Sequence, residues 1–144
     1  MNLPAIPGLE AYVRAFETLA ADRLDELTAC FAESAYFEDP FNRVSGRAAI
    51  GRVFAHGFRQ CPQLRFEIEE VAGVADAPVV LIVWRFVCGD AGDLRLHGVS
   101  RVVFGADGLV QSHVDYWDPA AQLYERVPLL GALMRAIRRR LAAS

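Results

Sequence analysis

Very little in this chain marks it for metal, nucleic acid or membrane. Its three cysteines, Cys30, Cys61 and Cys88, are odd in number and far apart. With no CxxC pair and no HExxH-like histidine spacing, neither a disulfide framework nor a metal site is expected, and no organic cofactor motif stands out. The cysteines fit buried thiols in a reducing compartment. A net charge of -3 offers no basic footprint for nucleic acid. No stretch approaches the roughly 18 unbroken apolar residues of a membrane span. The segment from Met1 to Phe16 lacks the basic-then-apolar order of a secretory leader, so a cytoplasmic location is expected. No repeat or low-complexity linker is present.

What remains is a globular composition. The 144 residues are 53% hydrophobic and 23% charged, enough to bury a core without staples. One domain is expected over residues 1–144, with 119–144 as a C-terminal helical extension. Leu9, Tyr12, Val13, Phe16, Leu19 and Ala20 recur at helical spacing, predicting a first helix over 9–20. A second runs from Arg23 to Phe31, with Asp22 as its N-cap. Tyr36 to Asp39 reads as a short strand, since Pro40 biases Asp39 away from helix. A polar turn follows, then a third helix from Gly46 to Gln60, stopped by Pro62.

The period then changes. Residues 64–74, 79–88, 94–104 and 109–117 are rich in Val, Phe, Ile and Trp. They are separated by turn signals at Ala77-Pro78, Gly89-Asp90-Ala91-Gly92 and Ala106-Asp107-Gly108, predicting four sequential antiparallel strands. Asp107-Gly108 is the clearest hairpin signal. Helices followed by a meander imply an α+β domain with helices packed on the concave face of a strongly bent sheet, and that face makes a pocket. Residues 119–141 return to helical spacing, interrupted at Pro128.

The stretch FAESAYFEDPFNRVSGRAAIGRVF, residues 31–54, resembles the nuclear transport factor two-like superfamily, in particular ketosteroid isomerases and SnoaL-type polyketide cyclases. The later FGADGLVQSHVDYWD, 104–118, is similar to that superfamily's last hairpin. The resemblance implies a cone-shaped α+β barrel with a mostly antiparallel sheet, a homodimer and a hydrophobic small-molecule ligand. It puts Asp39 at the place of the isomerase's general base. That isomerase pairs its Asp base with a Tyr and a neutral Asp that hold the oxyanion. Here Ala15 stands at the Tyr position, with Tyr12 one turn earlier, and Ser100 at the neutral Asp position. Asp115 resembles the last-strand acid of the cyclases and of limonene-type epoxide hydrolases. The hydrolases' Arg-x-Asp is replaced by Arg85-Phe86-Val87, which argues against epoxide opening.

Period-two alternation places Gln111, His113, Asp115 and Trp117 on one face of the last strand, the face that lines the pocket in the resemblance. The expected catalytic set is therefore Asp39 as base, with Asp115 and His113 protonating or orienting the intermediate. Tyr12, Phe54, Phe58, Trp84, Phe86, Ser100 and Trp117 are the expected substrate contacts. Each has a plainer reading. Asp39 can close a turn with its own side chain. Asp115 can pair with Arg101 or another strand arginine. His113 can be a proton carrier or a hydrogen-bonded structural histidine. His56 and His97 read as structural.

Two functions stand at this point. One is a cofactor-independent proton-transfer enzyme, an isomerase, cyclase or dehydratase acting on a hydrophobic substrate. The other is a non-catalytic ligand-binding or assembly protein of the same fold. The tail joins apolar residues to Arg126, Arg135, Arg138, Arg139 and Arg140. It reads first as a helix capping the cone or packing on a neighbour, and second as a peripheral membrane contact.

Overall fold

The computed structural model describes residues 1–89 and 94–143. The apolar stripe at the N-terminus forms α1, Leu9–Glu17, which buries Leu9, Tyr12, Val13, Ala15 and Phe16. It stops three residues short of the expected end, and Thr18 Oγ1 donates to the Arg14 carbonyl at 2.8 Å. Leu19 still joins the core from beyond the helix. A 3-10 turn, Ala21–Arg23, precedes α2, Leu24–Thr28. Asp22 sits inside that turn, and no side chain caps α2, so the expected Asp22 cap is not formed.

Phe31 continues the helical spacing but starts a strand, β1 (Phe31–Glu38). Long-range pairing overrides local pattern here, because β1 lies parallel to the final strand, with Phe31 opposite Val110 and Phe37 opposite His113. The polar turn expected after Asp39 contains a further short strand, β2 (Arg43–Ser45), paired with β1. Then come α3 (Arg47–Gln60), β3 (Arg65–Gly73), β4 (Val79–Cys88), β5 (Leu94–Phe104) and β6 (Val110–Tyr116). The last four strands form the antiparallel meander in chain order. At the hairpin between β5 and β6, Asp107 Oδ1 accepts from the Leu109 amide at 3.0 Å, and Gly108 takes a φ of 79°. The turn expected at Gly89-Asp90-Ala91-Gly92 lies, beyond Gly89, outside the described residues.

The sheet order is β2-β1-β6-β5-β4-β3. The described edges, β2 and β3, do not pair, so the cone is an open curved sheet and not a closed barrel. Register shifts in β3 and between β5 and β6 add local twist and bending. α1 packs against β3 and α3 against β1, enclosing a core in which Tyr12, Phe16, Phe31, Phe37 and Ile50 meet Ile82, Trp84 and Val102. Each such large apolar side chain contributes about 1.5–3 kcal/mol by leaving water.

The shift between β5 and β6 corrects one expectation. Val103 pairs with Ser112 and Phe104 with Val110, leaving Gln111 as the extra residue. Gln111 is therefore exposed while Val110 is buried, and alternation holds only from Ser112 onward.

A second correction concerns the cysteines. Cys61 and Cys88 form a disulfide, with Cα atoms 6.1 Å apart. The pair was invisible in sequence because the fold supplies the proximity: β3 leaves α3 and returns beside β4, with Arg65 opposite Val87. Cys30 alone stays a free thiol, and burial pushes its pKa up.

The tail forms α4 (Pro119–Gln122), a 3-10 turn (Tyr124–Arg126) and α5 (Pro128–Leu141), with the break at Pro128. Asp118 caps α4 by accepting from the Ala121 amide at 3.0 Å. The Gln122 amide extends the ladder of β5, accepting from His97 N at 2.6 Å and donating to His97 O at 3.0 Å. The expected cap over the cone is not what α5 makes. It packs on the 3-10 turn, and Leu129, Leu133, Ile137 and Leu141 stay exposed. Among the described residues no helix is long and apolar enough to cross a membrane.

Candidate functional site

β5 and β6 bring two polar residues face to face inside the cone. Their register sets Ser100 opposite Asp115 and Val102 opposite His113. His113 is 3% exposed. Its ring stacks between Phe37 (centroids 5.1 Å, planes 20° apart) and Phe16 (5.8 Å, 27°). Burying an imidazole this completely requires partners for both nitrogens. They exist: Tyr12 Oη lies 2.6 Å from Nδ1, and Asp115 Oδ1 lies 2.6 Å from Nε2.

The protons in this chain can be assigned by chemistry. Desolvation, first, and the nearby Asp115 and Cys30, second, hold the Tyr12 phenol well above its ordinary pKa, so it stays protonated. A carboxylate oxygen only accepts, so the Nε2–H donates to Asp115 Oδ1, and in that tautomer Nδ1 accepts the Tyr12 O–H. A second arm reaches the same carboxylate oxygen from the other side. Trp84 Nε1 donates to Ser100 Oγ at 2.8 Å, and Ser100 Oγ donates to Asp115 Oδ1. Gly98 makes this arm possible, because a Cβ there would stand 2.6 Å from the Trp84 ring. Two arms, one from α1 and one from β4, thus converge on Oδ1. Among the described residues no donor reaches Oδ2, and the Asp115 side chain remains 16% exposed.

That exposure is to a cavity. A narrow inner space of about 20 Å³ is walled by Phe16, Ile68, Ile82, Trp84, Ser100 and Asp115. An outer cavity of about 240 Å³ shares Phe54, Phe66, Trp84 and Asp115 with it and opens past Phe86, Asp39 and Trp117. Asp115 stands where the two meet. Asp39 also faces the outer cavity, but its carboxylate is engaged. Oδ1 accepts from the Phe41 and Asn42 amides, both at 2.7 Å, and Asn42 Nδ2 bridges both carboxylate oxygens at 3.0 Å.

Residues 9–113 match the model of the SnoaL-like domain family. The chain belongs to that family. The match takes in Tyr12, Asp39, Ser100 and His113 and ends two residues before Asp115. Solved structures agree on the fold. A candidate SnoaL-like polyketide cyclase from Jannaschia sp. CCS1 superposes with a TM-score of 0.67 at 18% identity, covering 84% of this chain and 93% of that one. A candidate polyketide cyclase from Sinorhizobium meliloti gives 0.62 at 21% identity, covering 79% and 95%. A candidate isomerase of the SnoaL-like family from Agrobacterium tumefaciens gives 0.63 at 20%, covering 76% and 93%. No curated protein matches the sequence.

Within this SnoaL-like domain the expected contacts divide. Phe54 and Trp84 line both spaces, Ser100 the inner one, Phe86 and Trp117 the outer one. Tyr12 and Phe58 do not line either. Tyr12 lies behind His113, and Phe58 points into the core from α3. The strand-arginine partner considered for Asp115 is not formed, since its partners are His113 and Ser100. His56, read as structural, lines the outer cavity, whereas His97 pairs with Glu69 on the outer face. Phe16, Phe37, Phe66, Ile68 and Asn42 were missed. Phe16 was legible, one turn after Tyr12 on the same helical face, and Asn42 three residues after Asp39 in its turn; Phe37, Phe66 and Ile68 depend on strand pairing. Among the described residues no three His, Cys, Asp or Glu side chains gather as a metal site.

Proposed function

We propose that this SnoaL-like domain binds a compact hydrophobic small molecule and moves a proton on it through Asp115 Oδ2, as an isomerase, cyclase or dehydratase step would require. The observation that carries the reading is the asymmetry of the Asp115 carboxylate, with Oδ1 held from two sides, no donor among the described residues on Oδ2, and the residue lining both apolar cavities. Such a group takes a proton from a carbon next to a carbonyl and returns it to another atom of the same substrate. While the proton is on Oδ2, the charge passes from the carboxylate to the substrate carbonyl oxygen. His113 and Ser100 keep the carboxylate in position, and Tyr12 and Trp84 position them in turn. Asp39 then serves at the mouth, shaping the entrance through its turn. The outer cavity is below the ~300–1,000 Å³ of ordinary ligand pockets, which favours a substrate smaller than a steroid.

One observation favours the non-catalytic alternative. The Tyr12, His113, Ser100 and Trp84 donors are all spent inside the network, leaving none of them for an oxyanion, and such a donor is worth about 2.7–4 kcal/mol of barrier. Both readings are separated by incubating the protein with a small β,γ-unsaturated cyclic ketone in deuterated buffer and following deuterium uptake by NMR. Uptake above the buffer rate supports proton transfer. Saturable binding of the ketone with no such uptake overturns it and leaves a binding protein.

The same reading takes residues 1–144 as one domain with 119–144 as an extension and expects a homodimer, while the cytoplasmic location expected from the sequence stands against the disulfide. Cys61–Cys88 argues against a reducing location; thiol titration of protein isolated under alkylating conditions decides it. Three free thiols support the cytoplasm, and one opposes it.

A further inference from the structure

α5 is anchored by one side only. Gly131 is buried against the preceding turn, where a Cβ would come within 2.1 Å of the Glu125 carbonyl oxygen. Arg135 Nη1 donates to that carbonyl at 2.9 Å, and Arg138 Nη2 pairs with the Glu125 carboxylate at 2.5 Å. These contacts fix the helix rotation and turn the opposite side outward. On that side Leu129, Leu133 and Ile137, four residues apart, form a line along the helix with exposures of 89%, 54% and 45%. Of the eleven exposed large hydrophobics among the described residues, six lie between Val127 and Leu141. A soluble surface seldom gathers them so closely without a partner.

Charge identifies the partner. α5 carries Arg135, Arg138, Arg139 and Arg140 and no acidic residue, in a chain whose net charge is -3. At 100° per residue Leu129, Leu133 and Ile137 span an arc of about 80°; Arg140 falls within that arc at the C-terminal end of the helix, Arg139 lies about 120° from its centre, and Arg138 lies on the side that pairs with Glu125. An exposed apolar stripe whose C-terminal end carries the exposed Arg139 and Arg140 suits the boundary between lipid headgroups and acyl chains, where the stripe leaves water and the guanidinium groups meet phosphate. We propose that α5 docks the protein on an anionic lipid surface, lying in its plane with Leu129, Leu133 and Ile137 inserted.

The test is co-sedimentation of the full chain with vesicles of phosphatidylcholine mixed with phosphatidylglycerol, against vesicles of phosphatidylcholine alone. The protein is expected to pellet with the mixed vesicles and to be released as salt rises. Arg139→Glu combined with Arg140→Glu is expected to weaken pelleting by about tenfold or more. Leu133→Glu combined with Ile137→Glu is expected to weaken it comparably. All these side chains are exposed, so unchanged circular dichroism spectra verify folding. Absence of pelleting with the mixed vesicles, or pelleting that neither double variant changes, overturns the proposal. If sedimentation velocity instead shows a dimer abolished by Leu133→Glu with Ile137→Glu, and vesicles do not pellet the protein, the stripe is an interface between copies.

Discussion

Asp115 and Asp39 are the same residue type facing the same cavity, yet they are built in opposite ways. Asp115 is held by residues distant in the chain, through His113 to Tyr12 and through Ser100 to Trp84, and the described residues use only one of its oxygens. Asp39 is held by residues two and three positions ahead, and Asn42 engages both its oxygens. The difference teaches how a carboxylate becomes available for chemistry. Anchoring through long-range partners can leave one oxygen free at the junction of two cavities, whereas anchoring by a local turn consumes the group in holding the chain.

The largest effect expected from this contrast is at His113. His113→Leu removes the one partner that the described residues give the buried Tyr12 hydroxyl, and one of their two donors to Asp115, and is expected to cost about 3 kcal/mol of stability by chemical denaturation. A cost no greater than that of Asp39→Ala would erase the distinction between the two regions. Next comes Gly98→Ala, which drives a methyl into the Trp84 ring; overpacking of this kind costs about 1–3 kcal/mol. Loss of the buried Trp84 environment should appear in its fluorescence. Asp39→Ala strips the turn amides of their acceptor and is expected to cost about 1 kcal/mol, with the ring environment of His113 unchanged by NMR.

The smallest effect is read against pH. The Tyr12 pKa is raised by folding, so its contribution is complete below the unfolded value near 10 and is lost as pH rises through the folded value. Tyr12→Phe removes that titration. Its unfolding free energy is expected to fall less steeply than wild type above about pH 10, measured by urea unfolding across the alkaline range. Parallel slopes would place the phenol in water and not behind His113.

Much of the frame was legible in the chain. Helical spacing found α1 and α3, the Val- and Phe-rich runs found the meander, and Asp107-Gly108 found its hairpin, because each of these is encoded by neighbours. Parity from Ser112 onward also put His113 and Asp115 on one face. What escaped notice came from residues far apart. Phe31 looks helical until β6 lies alongside it, and Gln111 looks inward until a register shift makes it the extra residue. Cys61 and Cys88 are unrelated until β3 folds back. The turn role of Asp39 was among its sequence readings, since its partners are adjacent. The two arms meeting at Asp115 could not be read, because no local signal joins Tyr12 to His113 or Trp84 to Ser100.

The measurement that bears most directly on the contrast is deuterium uptake into the same unsaturated ketone by Asp115→Asn and Asp39→Asn side by side. Loss of a positioned proton carrier costs about 10²–10⁴-fold, so Asp115→Asn is expected to fall by that much while Asp39→Asn stays within a few fold of wild type. The reverse order, with Asp39→Asn inactive and Asp115→Asn near wild type, would contradict the account and return the base to the mouth of the cavity.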